Sequence, residues 1–213
     1  MKLSKTSKLD GIKSWSLQAI DTCPGSLDNN GNLVPACSGC YATTGMYNFP
    51  NVKAPRVFNK EDWKRPEWVS DMVNALKREK YFRWFDSGDM YALELAKKIR
   101  EVMEKTPHVK HWLPTRMAKF NKFQNIIAEM KALPNVAVRF SSDSIDGQFT
   151  KGVHGSTIVN GDNIPEGVKV CEAYNHDGKC NGCRACYDKE VNVIAYPAHG
   201  KKMLKVIKLK LAA

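Results

Sequence analysis

The sequence predicts an α/β protein, a partial parallel (β/α) barrel with a cysteine-rich C-terminal extension. Three observations predict it. Strand-like runs begin near residues 81, 109 and 136 with helical periodicity between them, the spacing that successive βαβ units of about 30 residues produce. Polar residues gather directly after these runs, where a parallel sheet or barrel places its ligands. Beyond Asp143 the helical pattern gives out, and four cysteines crowd between Cys171 and Cys186. Residues 1–165 therefore read as the partial barrel with a first cysteine loop. Residues 166–213 read as a second cysteine-rich segment packed on that barrel.

The first strand candidate is Ser14 to Leu17. A loop with Cys23, Cys37 and Cys40 follows it, and Asn48-Phe49-Pro50 reads as a turn. Asn59 to Lys80 carries a helical pattern with Pro66 in an early turn and Trp68, Val69, Met72, Val73 and Leu76 on one face. Tyr81 to Phe85 is an aromatic strand, closed by Asp86-Ser87-Gly88-Asp89. Tyr91 to Lys105 is helical, Val109 to Leu113 a strand ending at Thr115-Arg116, Lys119 to Leu133 a helix, and Val136 to Phe140 a strand running into Ser141-Ser142-Asp143. Thr157 to Val159, Val168 to Val170, Val191 to Tyr196 and Met203 to Leu211 read as further strands.

The composition bounds the function. At 213 residues and 43% hydrophobic content, the chain can bury a sizeable core. It has no apolar leader pattern and no run of about 18 apolar residues, so a soluble cytoplasmic protein with no membrane partner is expected. Its 33 Lys and Arg residues against 22 acids give a net charge of +11. This favours an anionic partner such as nucleic acid or a nucleotide; a basic solvated surface explains the same number.

Seven cysteines without a secretion signal point to metal or redox chemistry rather than a disulfide framework. Cys23, Cys37 and Cys40 supply three thiolates and leave a coordination position open, as a catalytic metal centre requires. Cys171, Cys180, Cys183 and Cys186 make a closed set of four. Their C-x2-C-x2-C core wraps the corners of a cubane more readily than it surrounds one zinc ion, though zinc stays open for either group. Asp86 and Asp89 are rim acids or ordinary turn and N-cap residues. His108 and His111 read as core or surface histidines rather than ligands.

A three-cysteine loop after the first strand and a Gly-acidic turn after the second resemble the radical S-adenosylmethionine superfamily. The usual C-x3-C-x2-C is here C-x13-C-x2-C, and the aromatic Tyr41 follows the last cysteine instead of preceding it. The resemblance implies a 4Fe–4S cluster on Cys23, Cys37 and Cys40, with S-adenosylmethionine on its open iron. Ser87, Gly88 and Asp89 would hold the amine, Arg116, Arg139, Ser141 and Ser142 the carboxylate and ribose, and Tyr41 the position nearest the adenine. The second set would hold an auxiliary 4Fe–4S cluster, and an external electron donor would feed the reaction.

A wider resemblance covers most of the chain. Trp15-Ser16-Leu17, Thr22 to Gly25, Cys37 to Ala42, Phe82 to Asp89, Thr115-Arg116 and Cys180 to Cys186 are similar to a family of small phage proteins known only as gene product 88. That implies a virus-encoded protein in a host bacterial cytoplasm and supplies no substrate. The alternatives are a zinc-holding, basic nucleic-acid-binding module, and an iron–sulfur protein with a non-radical or electron-transfer role.

Overall fold

The computed structural model describes residues 1–161 and 164–211. An eight-stranded sheet forms the frame, built from β1 (Ser4–Lys5), β2 (Lys13–Trp15), β3 (Tyr81–Trp84), β4 (Lys110–Thr115), β5 (Val136–Ser141), β6 (Gly155–Val159), β7 (Lys169–Val170) and β8 (Val193–Pro197). Its order is β1-β2-β3-β4-β5-β6-β8-β7. Only the β1–β2 pair is antiparallel, so β2 to β6 lie side by side in chain order and all point one way. The segment after residue 165 is part of this frame, because β8 pairs along its length with β6, from Gly155↔Val193 to Val159↔Pro197.

Helices α1 (Pro35–Ser38), α2 (Pro50–Asp62), α3 (Trp68–Leu76), α4 (Leu93–Lys105), α5 (Asn121–Ala132) and α6 (Lys201–Leu211) complete the chain. Side chains alternate across a strand, so each strand here serves two different environments. Phe82 and Trp84 of β3, Leu113 of β4 and Val136 and Val138 of β5 pack with Trp68, Leu76, Ile99 and Phe123 of α3, α4 and α5 in the main core. Trp15 joins them, its ring 5.2 Å from Trp68 and edge-on. Residues of opposite parity face the other way. Tyr81 and Trp112 pack with Leu9, Tyr187, Cys180 and Cys186. One face of the sheet is thus a helix-covered core, and the other is turned toward the cysteine-rich segment.

Three expectations change. The single helix over Asn59–Lys80 is two helices, α2 and α3, because Pro66 interrupts the turn between them. Its first part starts earlier than expected, with Pro50 filling the first helical position that needs no N–H partner. Met203 to Leu211 is helical rather than extended. Met203 and Ile207, one turn apart, bury against Ala36 and Ile145, and that contact overrides the partial alternation of lysine with apolar residues.

His111 sits inside the main core as a neutral ring. The Thr106 hydroxyl donates to the Val102 carbonyl, so it receives the His111 Nε2–H, while His111 Nδ1 accepts the Trp84 indole N–H at 3.2 Å. Burial pulls His111 down to about 3. An unfolded chain takes up this proton below about pH 6.5 and the folded chain does so only near 3, so the ring's contribution shrinks as pH falls through that window. Urea unfolding should show a stability drop from pH 7 to pH 5 about 2 kcal/mol larger in the wild type than in His111→Gln. Equal drops would contradict a neutral core ring.

Candidate functional site

The loop that carries Cys23 is fixed by the strand beside it. Leu17 N–H donates to the Ser87 carbonyl and the Ser87 hydroxyl donates back to the Leu17 carbonyl, at 3.0 and 2.6 Å. Asp86 N–H bonds the Ser16 hydroxyl and Asp89 N–H the Thr22 carbonyl. Gly88 has φ +80°, and a Cβ there would stand 2.5 Å from Leu17 Cβ, so glycine is demanded by the close approach of these two segments. Two side chains adopt left-handed backbone at the same place, Ile20 (φ 67°) and Phe85 (φ 54°). Such conformations cost on the order of 1–3 kcal/mol each and persist only where surrounding structure holds them.

Cys37 lies in α1 and Cys40 just after it. Ala36 N–H donates to the Asp143 carbonyl, which ties α1 to the loop after β5. Asp143 accepts from Arg116 Nε at 3.2 Å and pairs with Lys119, and Arg116 also reaches the Ser142 carbonyl. The Asp89 carboxylate receives the Thr115 hydroxyl and the main-chain N–H groups of Met90 and Arg116, yet burial still lifts its pKa. A Cβ at position 39 would stand 2.7 Å from the Met203 side chain, so only glycine lets α6 press on the Cys37–Cys40 turn.

The second cysteine loop is held by an arginine. Arg139 of β5 is 1% exposed, and its guanidinium donates to five carbonyls, those of Ala185, Cys186, Asp188, Val191 and Asn192, at 2.6–3.3 Å. The N-terminal turn grips the loop from its other side. Cys180 N–H meets the Lys8 carbonyl, and Asp10 accepts from Gly182 N–H and Arg184.

Both loops open onto one cavity of about 470 Å³ beyond the strand ends, lined by Cys23, Cys37, Cys40, Cys171, Cys180 and Cys186. All seven cysteines are thiols without disulfides. Burial pushes Cys23 up to about 12, with Asp89 adding to the effect, and pushes Cys180 up to about 11. Cys37 and Cys186 are raised for the same reason. Neighbouring thiols add to the rise at two of them: Cys37 and Cys40 at Cys23, and Cys186 and Cys171 at Cys180. The chemistry of the donors suits a soft metal or an iron–sulfur cluster, whose binding would displace these protons. Among the described residues, no three His, Cys, Asp or Glu side chains already converge on a point for one metal ion.

The sequence-derived residues are placed unevenly. Tyr41, Ser87, Gly88, Asp89, Arg116, Ser141 and Ser142 line the cavity. The hydroxyls of Tyr41, Ser87 and Ser142 are committed to the carbonyls of Asp86, Leu17 and Gln148. Cys183 is exposed and outside the lining. Arg139 is outside it as well; its donors fasten the second loop, which leaves none for the carboxylate and ribose role that its position after the strand implied. Sequence reasoning passed over Arg56, a buried cation of α2 that pairs with Asp86 and bonds the Ser87 hydroxyl. No local pattern marks it, because its partners lie about thirty residues away.

A family model described as Gene product 88 matches residues 2–185 of the chain. No curated protein and no solved structure matches it. Among the described residues no helix is long and apolar enough to cross a membrane.

Arg139→Met should remove five hydrogen bonds at once and cost about 3–5 kcal/mol in urea unfolding. Thiol labelling read by mass spectrometry should then find Cys180 and Cys186 faster to react, with Cys23 and Cys37 unchanged. Uniform acceleration of all four would show that Arg139 serves the whole fold and not this loop.

Proposed function

The chain belongs to the Gene product 88 family, and from its site we propose an iron–sulfur enzyme of the radical S-adenosylmethionine kind. The observation that carries the reading is that six of the seven cysteines, three from each group, line a single cavity at the ends of parallel strands. Cys23, Cys37 and Cys40 would hold the first 4Fe–4S cluster and leave one iron for S-adenosylmethionine. Cys171, Cys180, Cys183 and Cys186 would hold the second. When bound, cluster and cofactor would supply one-electron reductive chemistry, with the electron from an external donor.

The chain's own residues do the holding. Parallel strands in sequential order, from β2 to β6, support a partial-barrel reading of the sheet. Arg116, anchored by Asp143, stands beside Cys37 and favours its thiolate. Ser87, Gly88 and Asp89 form the wall that the cofactor amine would meet, and Tyr41, Ser141 and Ser142 stand on other parts of the lining. The C-x2-C-x2-C run would wrap the corners of a four-metal cluster more readily than it would surround one zinc ion. If the chain is phage-encoded, as the family resemblance implies, the reaction would run in a host bacterial cytoplasm.

Anaerobically reconstituted protein should carry about eight irons and as many sulfides per chain. Cys23→Ala should keep about four, as should Cys186→Ala, each losing a different cluster. Stoichiometric zinc without sulfide would replace this reading with a zinc-held nucleic-acid-binding module. A Cys23→Ala protein that retains all its iron would remove Cys23 from the ligand set.

A further inference from the structure

A second wall of the cavity starts at Tyr41, next to Cys40, and runs toward Cys186; beyond Tyr41 none of the roles above employs it. Three rings follow one another along it. Tyr41 and His199 are stacked at 6.5 Å with planes 25° apart, and Tyr174 lies 4.5 Å from His199. Tyr41 and Tyr174 are 44% and 46% exposed, so both rings offer accessible faces. Beside the rings stand two cations. Lys8 Nζ lies 5.7 Å over Tyr174 and 5.8 Å over Tyr196, and among the described residues no carboxylate pairs with it. Arg83 lies over Trp112 at 4.6 Å, and it shares the one carboxylate of Asp86 with Arg56, so this cluster has a positive charge in excess.

The same wall has unmet donors. Arg83 Nε and Trp112 Nε1 are buried without an acceptor, and both residues line the cavity. The Trp15 and Trp68 indoles in the closed core lack an acceptor as well, so the rings and the cations carry the argument. Rings for stacking beside uncompensated cations suit one chemistry, a planar heteroaromatic ring that carries an anionic group.

We propose that this wall binds the substrate, and that the substrate is a nucleotide or a heteroaromatic acid of similar size, its ring on Tyr174 and His199 and its anionic group toward Lys8 and Arg83. The assignment deepens the enzyme reading and rests on it for the word substrate. The wall's ring and cation side chains are not metal ligands, but Tyr196 touches Cys186 and the Lys8 carbonyl holds Cys180, so iron is measured alongside binding.

Calorimetry on the full-length protein, with iron measured on the same samples, tests the assignment. The probes are the four ribonucleoside monophosphates with their nucleosides, nicotinate with its uncharged amide, and inorganic phosphate. At least one monophosphate, or nicotinate, should bind at least about tenfold more tightly than both its uncharged ring counterpart and phosphate. A monophosphate in that place identifies a nucleotide, and nicotinate a heteroaromatic acid. Lys8→Ala, which keeps the main-chain carbonyl that holds Cys180, should weaken the anionic probe by about tenfold and leave the nucleoside unchanged, while Tyr174→Ala should weaken both. Phosphate binding as tightly as any ring compound, or Lys8→Ala and Tyr174→Ala variants that melt and bind like the wild type, would overturn it. Low iron with intact ring-and-anion binding would count against the cluster reading alone.

Discussion

The seam between residues 16–22 and 85–89 is the constraint on which the site depends. It begins as ordinary parallel pairing, Trp15 opposite Trp84, and then continues past the strand ends through the Leu17–Ser87, Ser16–Asp86 and Thr22–Asp89 hydrogen bonds. The aromatic core behind it supplies the rigidity. Trp15, Trp68, Trp84 and Phe85 meet mostly edge-on within 6.5 Å, and edge-to-face rings contribute beyond their buried area. That core holds Phe85 in left-handed backbone, Ile20 takes the same conformation at the cavity wall, and Cys23 and Asp86 reach the same cavity.

The second cysteine group reaches the cavity by a different device. Its loop has little regular structure of its own, only short turns at Ala173–His176 and Ala185–Tyr187, so its carbonyls need donors from elsewhere. One buried guanidinium supplies them, and Asp10 adds acceptors on the other side. Unpaired buried carbonyls would be costly, and a planar fork of five N–H donors satisfies them from one position. The sheet thereby acts as a spacer. Its helical face is paid for in aromatic packing, while its other face fixes where two otherwise irregular loops come to lie.

Much of this was legible in the sequence, and unevenly. The strands from Tyr81, Lys110 and Val136 were readable because aromatic and β-branched runs recur there at a constant interval. The cysteine spacing separated a group of three from a group of four. The direction of α6 was hidden because Met203 and Ile207 fit a helix while the lysines between them mimic alternation; only the contact with Ala36 and Ile145 decides it. Arg139 shows a different limit. Strand parity puts its side chain on the cavity side of the sheet, but nothing local says that a loop fifty residues later will claim all its donors. Arg56 and Lys8 became visible only once the chain had folded their partners beside them.

The most direct test is electron paramagnetic resonance of the dithionite-reduced, anaerobically purified protein before and after S-adenosylmethionine is added. An iron centre with an open position, held by Cys23, Cys37 and Cys40, predicts that part of the spectrum shifts on addition while the signal of a closed four-cysteine centre stays as it was. Spectra that overlay before and after addition, from a sample holding both clusters, would contradict an open site in this cavity.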